Sequence, residues 1–213
     1  MVSGRDKFEK YWCLNDFQAK TLRSKEKMKR VFDFVIAAVI LVLLLIPLFF
    51  VAIGVRTTSK GPVLYWSARI GRGDLIFKMP KFRSMLIDSP AVATHLLSDP
   101  ESWLTPIGSS LRKSSLDELP QLWSILKGDM SLVGPRPALH NQDDLIALRI
   151  EKGIDQLMPG LTGWAQVNGR DTLPIPEKVA LDVDYMEKQS FWFDMKILWL
   201  TVLKVVRRDG VSH

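Results

Sequence analysis

Cysteine is nearly absent from this chain of 213 residues: Cys13 is the only one. A single thiol excludes an intramolecular disulfide and a cysteine-built metal cluster, and it fits a reducing compartment. Histidine is scarce as well. His95, His140 and His213 lie far apart and lack the ligand spacing of motifs such as HExxH. The glycine pair in "GRGD", residues 71–74, lacks the third glycine and the strand-to-helix setting of a dinucleotide fingerprint. No internal repeat or low-complexity segment is present. Acidic residues are the minority, 23 against 29 Lys and Arg, for a formal charge of +6. That excess points to an anionic partner: nucleic acid, a phosphorylated small molecule or anionic lipid. What remains suits one domain with a real core, possibly with an appendage, since 47% of the residues are hydrophobic.

The most prominent feature present is "VFDFVIAAVILVLLLIPLFFVAIGV", residues 31–55, whose only charge is Asp33. A run of this length ordinarily reads as a transmembrane helix. Three details favour a helix that enters one leaflet and leaves on the same side. Pro47 interrupts the run, and an interior proline bends a helix. The stretch from Val31 to Ile46 reaches roughly 24 Å, short of a hydrocarbon core of about 30 Å. Both flanks are basic: Lys20, Arg23, Lys25, Lys27, Lys29 and Arg30 before, then Arg56, Lys60, Arg69 and Arg72 after. The positive-inside tendency places both in the cytoplasm. Asp33 is expected to pair with Lys29 or Arg30 one helical turn away. An ordinary spanning helix with a proline kink is the competing reading.

A second membrane-facing element is expected over residues 191–208, "FWFDMKILWLTVLKVVRR". At 100° per residue, Trp192, Met195, Leu198, Trp199, Val202, Leu203, Val205 and Val206 share one half of the wheel. Asp194, Lys196, Lys204, Arg207 and Arg208 share the other, as in a helix lying among headgroups. An amphipathic core helix fits nearly as well. Between these elements, "PVLYWSARI" and "LIFKMPKF" predict a hairpin around "GRGD". Residues 107–127, 141–152 and 176–189 read as helices, the last with Pro176 at its start. Residues 157–175 read as irregular, with an Asn168-Gly169 turn.

Chemistry concentrates in "SSLDELPQLW", residues 114–123. Ser115 and Glu118 match a capping box, S-x-x-E, and on spacing alone a plain helix start outweighs catalysis. Pro120 is harmless in a first turn, which favours Asp117 as the N-cap. The helix dipole there favours anions and keeps a carboxylate ionised. Adjacent residues point about 100° apart, so Asp117 can face a phosphorus atom while Glu118 holds a cation. Mg²⁺ suits such a site, because it combines carboxylate oxygen with substrate phosphate. Arg112 and Lys113 lie just upstream. In "KGDMSLVGPRPALH", Pro135 and Pro137 hold Arg136 in a stiff segment, and a fixed guanidinium is a good phosphate ligand. In "PKFRSM", an extended backbone places Lys81 and Arg83 on one face.

Taken together, these stretches resemble the bacterial sugar transferase family, the monotopic phosphoglycosyl transferases of the small, minimal type. The matching pieces are "KRVFDF" before a proline-broken apolar run, "KFRSM", "SSLDELPQLW", "LKGDMSLVGPRP", "PGLTGWAQVNGR", "LDVDYM" and "FWFDMKI", from about residue 29 to 208. The resemblance implies a mostly helical α+β fold. A re-entrant membrane helix and interfacial amphipathic helices would surround a small catalytic domain with a short β-hairpin. Residues 1–30 would be a basic N-terminal segment, 31–55 the re-entrant helix and 56–213 the catalytic domain. It implies transfer of a sugar phosphate from a UDP-sugar to polyprenol phosphate with release of UMP, at the cytoplasmic face of the bacterial inner membrane. Asp117 would be the nucleophile of a phosphosugar-aspartyl intermediate, with Glu118, beside it, helping to bind Mg²⁺. Lys81, Arg83, Arg112, Arg136 and Asp194 would serve substrate binding. The partners would be UDP-sugar, polyprenol phosphate and the bilayer, without nucleic acid. Lys25, Lys27, Lys29 and Arg30 would engage anionic headgroups.

The chain departs from the family pattern at Ile46-Pro47, where small members often carry serine before the proline. Residues 86–106, "LIDSPAVATHLLSDPESWLTP", form a variable-looking insert placed to shape sugar selectivity. A membrane-anchored basic binding protein is the alternative; it leaves the Asp117-Glu118 pair and Gly134-Pro135-Arg136-Pro137 without a role. Salt-sensitive DNA binding against Mg²⁺-dependent UDP-sugar binding separates the two.

Overall fold

A computed structural model describes residues 26–90, 99, 101–169 and 173–207. The expectations placed on residues 1–25, on Arg208 and on the middle of the 86–106 insert lie outside the described residues. The architecture is mostly helical, with two small two-stranded sheets.

The apolar run forms two helices, α1 (Glu26–Leu43) and α2 (Leu45–Thr58), bent by 63° at Leu44. Pro47 sits in the first turn of α2, three residues past the break. Its ring crowds the carbonyl four residues back, at Leu43, so the chain breaks there and not at the proline itself. No single helix among the described residues is long and apolar enough to cross a membrane. Val42, Leu43, Ile46, Phe49 and Phe50 around the bend are all exposed. An apolar surface of this extent is foreign to water.

The first half of α1 is anchored to the globular part. Arg30 donates to the carbonyls of Ile125 and Leu126. Lys29 pairs with Asp194 at 2.5 Å and lies 3.9 Å from Asp33. Asp33 accepts from Ser131 Oγ at 2.6 Å. Lys29 and Arg30 therefore turn inward, contrary to the headgroup role expected of them; Lys27 is exposed. Asp33 takes the Lys29 side of the expected pairing only loosely, because Ser131 offers a shorter contact.

The hairpin forms as its turn chemistry predicts. Strands β1 (Leu64–Ile70) and β2 (Ile76–Phe82) pair antiparallel, with Tyr65 opposite Lys81 and Ser67 opposite Met79. The turn needs left-handed backbone at Gly73 and Asp74, φ 65° and 61°, which glycine and aspartate tolerate best. Met79 packs into the main core with Ala37, Leu122, Ile125, Met130 and Leu132. Phe82 joins Val55 of α2 and Leu111 in a second cluster. The hairpin thus ties the end of the apolar run to the main core.

Two expectations are corrected. The single helix over 107–127 is three pieces: α3 (Gly108–Lys113), a 3-10 turn (Leu116–Gln121) and α4 (Leu122–Lys127). Ser115 lies between them in the left-handed region, φ 56°. Its side chain makes no capping bond, so the capping box is absent and Asp117 is the second residue of the 3-10 turn, not an N-cap. Residues 157–169 are not wholly irregular. They contain β4 (Gly160–Thr162), parallel to β3 (Ser131–Val133), and α6 (Trp164–Asn168). Glycine permits this parallel contact. A Cβ on Gly160 would lie 2.1 Å from Gly134 N, and one on Gly163 would lie 2.1 Å from Gly134 O.

Helices α5 (Asp143–Glu151) and α7 (Ile175–Lys188) form where the pattern placed them, with Pro176 in the first turn of α7. Helix α8 (Phe191–Arg207) follows. Trp192, Trp199, Val202 and Val205 are exposed on it, while Ile197 and Asp194 are buried.

Candidate active site

Two segments distant in sequence, around Lys81 and Arg136, converge on Glu118. The 3-10 turn presents it, with Asp117 beside it, at the end of β2. Lys81 Nζ lies 2.9 Å from Glu118 Oε1. Arg136 Nη2 reaches the same oxygen at 2.6 Å, and its Nη1 lies 3.4 Å from Oε2. Arg112, on α3, is near enough to lower the pKa of Asp117, as are Lys81 and Arg136. Arg112 also donates to Ser84 Oγ at 3.3 Å. The site is therefore two carboxylates surrounded by three cations.

Local geometry explains the placement. Ser115 in the left-handed region turns the chain so that the 3-10 turn packs along β2. Pro120 costs no hydrogen bond in so short a turn. Lys81 projects from the face of β2 shared with Met79 and Tyr65, following strand alternation. Burial pushes the Lys81 ammonium pKa down, and Glu118 holds it up.

Asp117 is 7% exposed. Burial and the neighbouring Glu118 push its pKa up from 3.8 to about 6, against the pull of Lys81, Arg112 and Arg136. The expectation that the helix end keeps it ionised is thus offset: a 3-10 turn aligns few peptide dipoles, and removal from water dominates. Because the folded value is raised, the protonated carboxyl favours folding below about pH 4. That contribution disappears as pH rises through 6. Asp117→Asn is accordingly expected to stabilise the protein above pH 6 by about 3 kcal/mol. Thermal unfolding in EDTA should show a variant-minus-wild-type difference that grows from pH 4 to 6 and then levels. A difference flat across that range contradicts it.

The carboxylate pair fits a hard divalent cation that completes its shell with water and phosphate oxygen. Each carboxylate offers about four lone-pair positions, so Glu118 keeps acceptor capacity beyond its two cationic neighbours. Among the described residues there is no group of three or more His, Cys, Asp or Glu that would cage a metal unaided. A cation here would depend on the substrate.

Two sequence-expected site residues lie elsewhere. Arg83 is buried and donates to Lys60 O at 2.6 Å, Ser59 O at 2.9 Å and Ser59 Oγ at 2.7 Å. It closes the C-terminal end of α2, because β2 ends at Phe82 and the shared face with Lys81 is lost. Asp194, expected on the polar face of α8, is 5% exposed. Its carboxylate takes Lys29 at 2.5 Å and the Tyr185 hydroxyl at 2.9 Å. That hydroxyl also lies 3.2 Å from Val133 O. Asp194 joins α1, α7 and α8 behind the strand leading to Arg136, and burial, with the adjacent carboxylate, raises the Tyr185 pKa well above its usual range.

The sequence reading missed Arg149 and Asp182. Arg149 donates from Nε and Nη2 to Asp182 Oδ2, at 3.0 and 2.6 Å, and from Nη1 to Arg136 O at 2.7 Å. Burial pushes the Asp182 carboxyl up and Arg149 pulls it down. One signal was available: Val179, Asp182 and Tyr185 recur every three residues and are all buried, a polar residue on the inward stripe of α7.

Comparison with known proteins fits this geometry. The profile of the family described as Bacterial sugar transferase matches residues 24–208. The chain is 42% identical over 188 residues to the uncharacterized sugar transferase EpsL of Bacillus subtilis, covering 87% of this chain and 91% of that protein. It is 41% identical over 186 residues to UDP-glucose:undecaprenyl-phosphate glucose-1-phosphate transferase of Escherichia coli, covering 83% of this chain and 40% of that protein. With undecaprenyl-phosphate galactose phosphotransferase of Salmonella typhimurium it shares 38% over 206 residues, 88% of this chain and 42% of that protein. The chain spans well under half the length of these last two.

Proposed function

The chain belongs to the bacterial sugar transferase family, and from that premise we propose that it moves a sugar phosphate from a UDP-sugar to polyprenol phosphate and releases UMP. The observation that carries this reading is the convergence of Lys81, Arg136 and Arg112 around the Asp117-Glu118 pair. Phosphoryl transfer is catalysed chiefly by positioning and by charge stabilisation, and this site supplies both. The names of the relatives supply the substrate classes.

Asp117 acts as nucleophile. In its ionised form one Oδ attacks the sugar-bearing phosphorus of the UDP-sugar. The bond from that phosphorus to the oxygen bridging to UMP breaks, and UMP departs with the electron pair. A phosphate oxygen of polyprenol phosphate then attacks the same phosphorus, and the aspartyl P–O bond breaks to restore the carboxylate. Two displacements through one nucleophile let two phosphorylated substrates use the same site in turn. Arg136 and Arg112 bind phosphate oxygens, and Lys81 holds Glu118 in place. Mg²⁺, held by Asp117 and Glu118, would supply neutralisation of charge across the phosphates when bound.

The membrane arrangement belongs to the same proposal. Residues 31–55 form the re-entrant anchor, residues 56–213 the catalytic domain and residues 1–30 a basic N-terminal segment, at the cytoplasmic face of the inner membrane. The 63° bend and the exposed apolar surface around it support this, as do the exposed tryptophans and valines of α8. Cysteines placed on either side of residues 31–55 should both resist a membrane-impermeant label in intact cells. Labelling of one flank only would restore a spanning helix.

The direct test is a nucleotide-sugar panel read by UMP release in nanodiscs with polyprenol phosphate and Mg²⁺. One UDP-sugar is expected to release UMP over many turnovers only when both lipid acceptor and divalent cation are present, and no more than about one equivalent per protein when the acceptor is left out. Silence across the panel would overturn the assignment.

A further inference from the structure

The segment Pro135-Arg136-Pro137 has an unusual problem of support. Its two prolines have no N–H, so the chain is held mainly through its carbonyls. Each of the three carbonyls has a donor from a different element. Pro135 O accepts from Gly160 N at 2.9 Å, Arg136 O from Arg149 Nη1 at 2.7 Å, and Pro137 O from Arg69 Nη1 at 3.2 Å. Gly160 N belongs to β4, whereas Arg149 is a side chain that is itself anchored. Its side chain is 12% exposed, and two further nitrogens are fixed by Asp182, which is 2% exposed.

We propose that Arg149, anchored by Asp182 and donating to the carbonyl of Arg136, is a positioning residue that fixes the Arg136 guanidinium against Glu118. This rests on the activity proposed above for the same site. Proline restricts the backbone on both sides of Arg136, so restraining its carbonyl limits the remaining peptide rotation. A guanidinium is useful to a transition state only when its fork already points where charge develops. Arg149 touches no reacting group; it acts through Arg136.

The test must separate positioning from folding. Arg149→Met alone leaves the buried Asp182 carboxylate uncompensated, which endangers the fold. The double substitution Arg149→Met/Asp182→Leu removes both charges, keeps the apolar volume and deletes the donor to Arg136 O. In the full-length protein in nanodiscs it should lower kcat for UMP release by roughly 10–100-fold, as loss of an orienting contact typically does, while KM for the UDP-sugar changes less. In an Arg136→Ala background the same double substitution should cost less than about threefold, because the residue it positions is already gone. Equal losses in both backgrounds would overturn the proposal.

Amide hydrogen exchange provides an arm independent of activity. The peptide covering residues 131–142 should exchange faster in the double variant than in the wild type, at unchanged melting temperature. Unchanged exchange would also overturn the proposal. Should the wild type release UMP from no UDP-sugar, the assigned activity fails, and the exchange arm alone decides the role of Arg149.

Discussion

Asp117→Asn is expected to abolish UMP release and, with it, any phosphosugar adduct on the protein. Removing a covalent nucleophile deletes a step for which the site has no substitute, so a loss of at least about 10³-fold is expected. Asparagine preserves the shape of the side chain, and the Lys81–Glu118–Arg136 cluster does not depend on Asp117 for its contacts. The variant should therefore fold, bind UDP-sugar and melt higher than the wild type above pH 6. Activity lost together with stability gained is the signature of a group whose buried charge opposes folding and serves chemistry. The wild-type kcat/KM should also fall at acid pH as Asp117, raised by burial in the free protein, becomes protonated, at a lower pH where Mg²⁺ is bound. An adduct recovered on another side chain, or turnover retained in Asp117→Asn, would refute the nucleophile assignment.

Arg136→Ala should produce the second largest effect, roughly 10²–10³-fold in kcat/KM, the scale of losing one preorganised donor. It removes a phosphate ligand and the cation that lies 2.6 Å from Glu118, leaving Lys81 at 2.9 Å. It also removes one of three charges that lower the Asp117 pKa, so the acid limb of the pH–rate profile should move to higher pH. That shift distinguishes an electrostatic role from loss of binding alone. Arg136→Lys should recover only part of the rate, since one ammonium cannot reproduce a planar fork. Full recovery by lysine would show that charge alone is required there.

Much of this protein could be read from its sequence wherever the cause was local. The turn at Gly73-Asp74 announced the hairpin. The proline after a sixteen-residue run with a single charge announced the break, which falls at Leu44, next to the crowded Leu43 carbonyl. The adjacent carboxylates and the proline-flanked arginine stood out in the sequence, although spacing alone favoured a plain helix start and only the family resemblance made them site candidates. The errors arose where local patterns had more than one tertiary use. The sequence S-x-x-E of residues 115–118 matches a capping box. Packing of the 3-10 turn along β2 instead put Ser115 into left-handed backbone and left its side chain without a capping bond. Asp194 fell on the polar side of a helical wheel, yet Lys29 and Tyr185 make the protein interior the better place for it. Arg83 alternates with Lys81 on paper, but the strand ends between them.

The sequence by itself determined the hairpin, the broken apolar helix, the helices α5, α7 and α8 and the chemical inventory, because turn residues, prolines and apolar periodicity act over a few neighbours. It marked Asp117, Glu118, Lys81, Arg112 and Arg136 as candidates. Only the tertiary structure decided which of the candidates meet, and that burial raises the Asp117 pKa. It alone placed Arg149 and Asp182 behind Arg136. Those outcomes depend on contacts between segments tens of residues apart and on the exclusion of water, and neither quantity is encoded in the spacing of neighbouring residues.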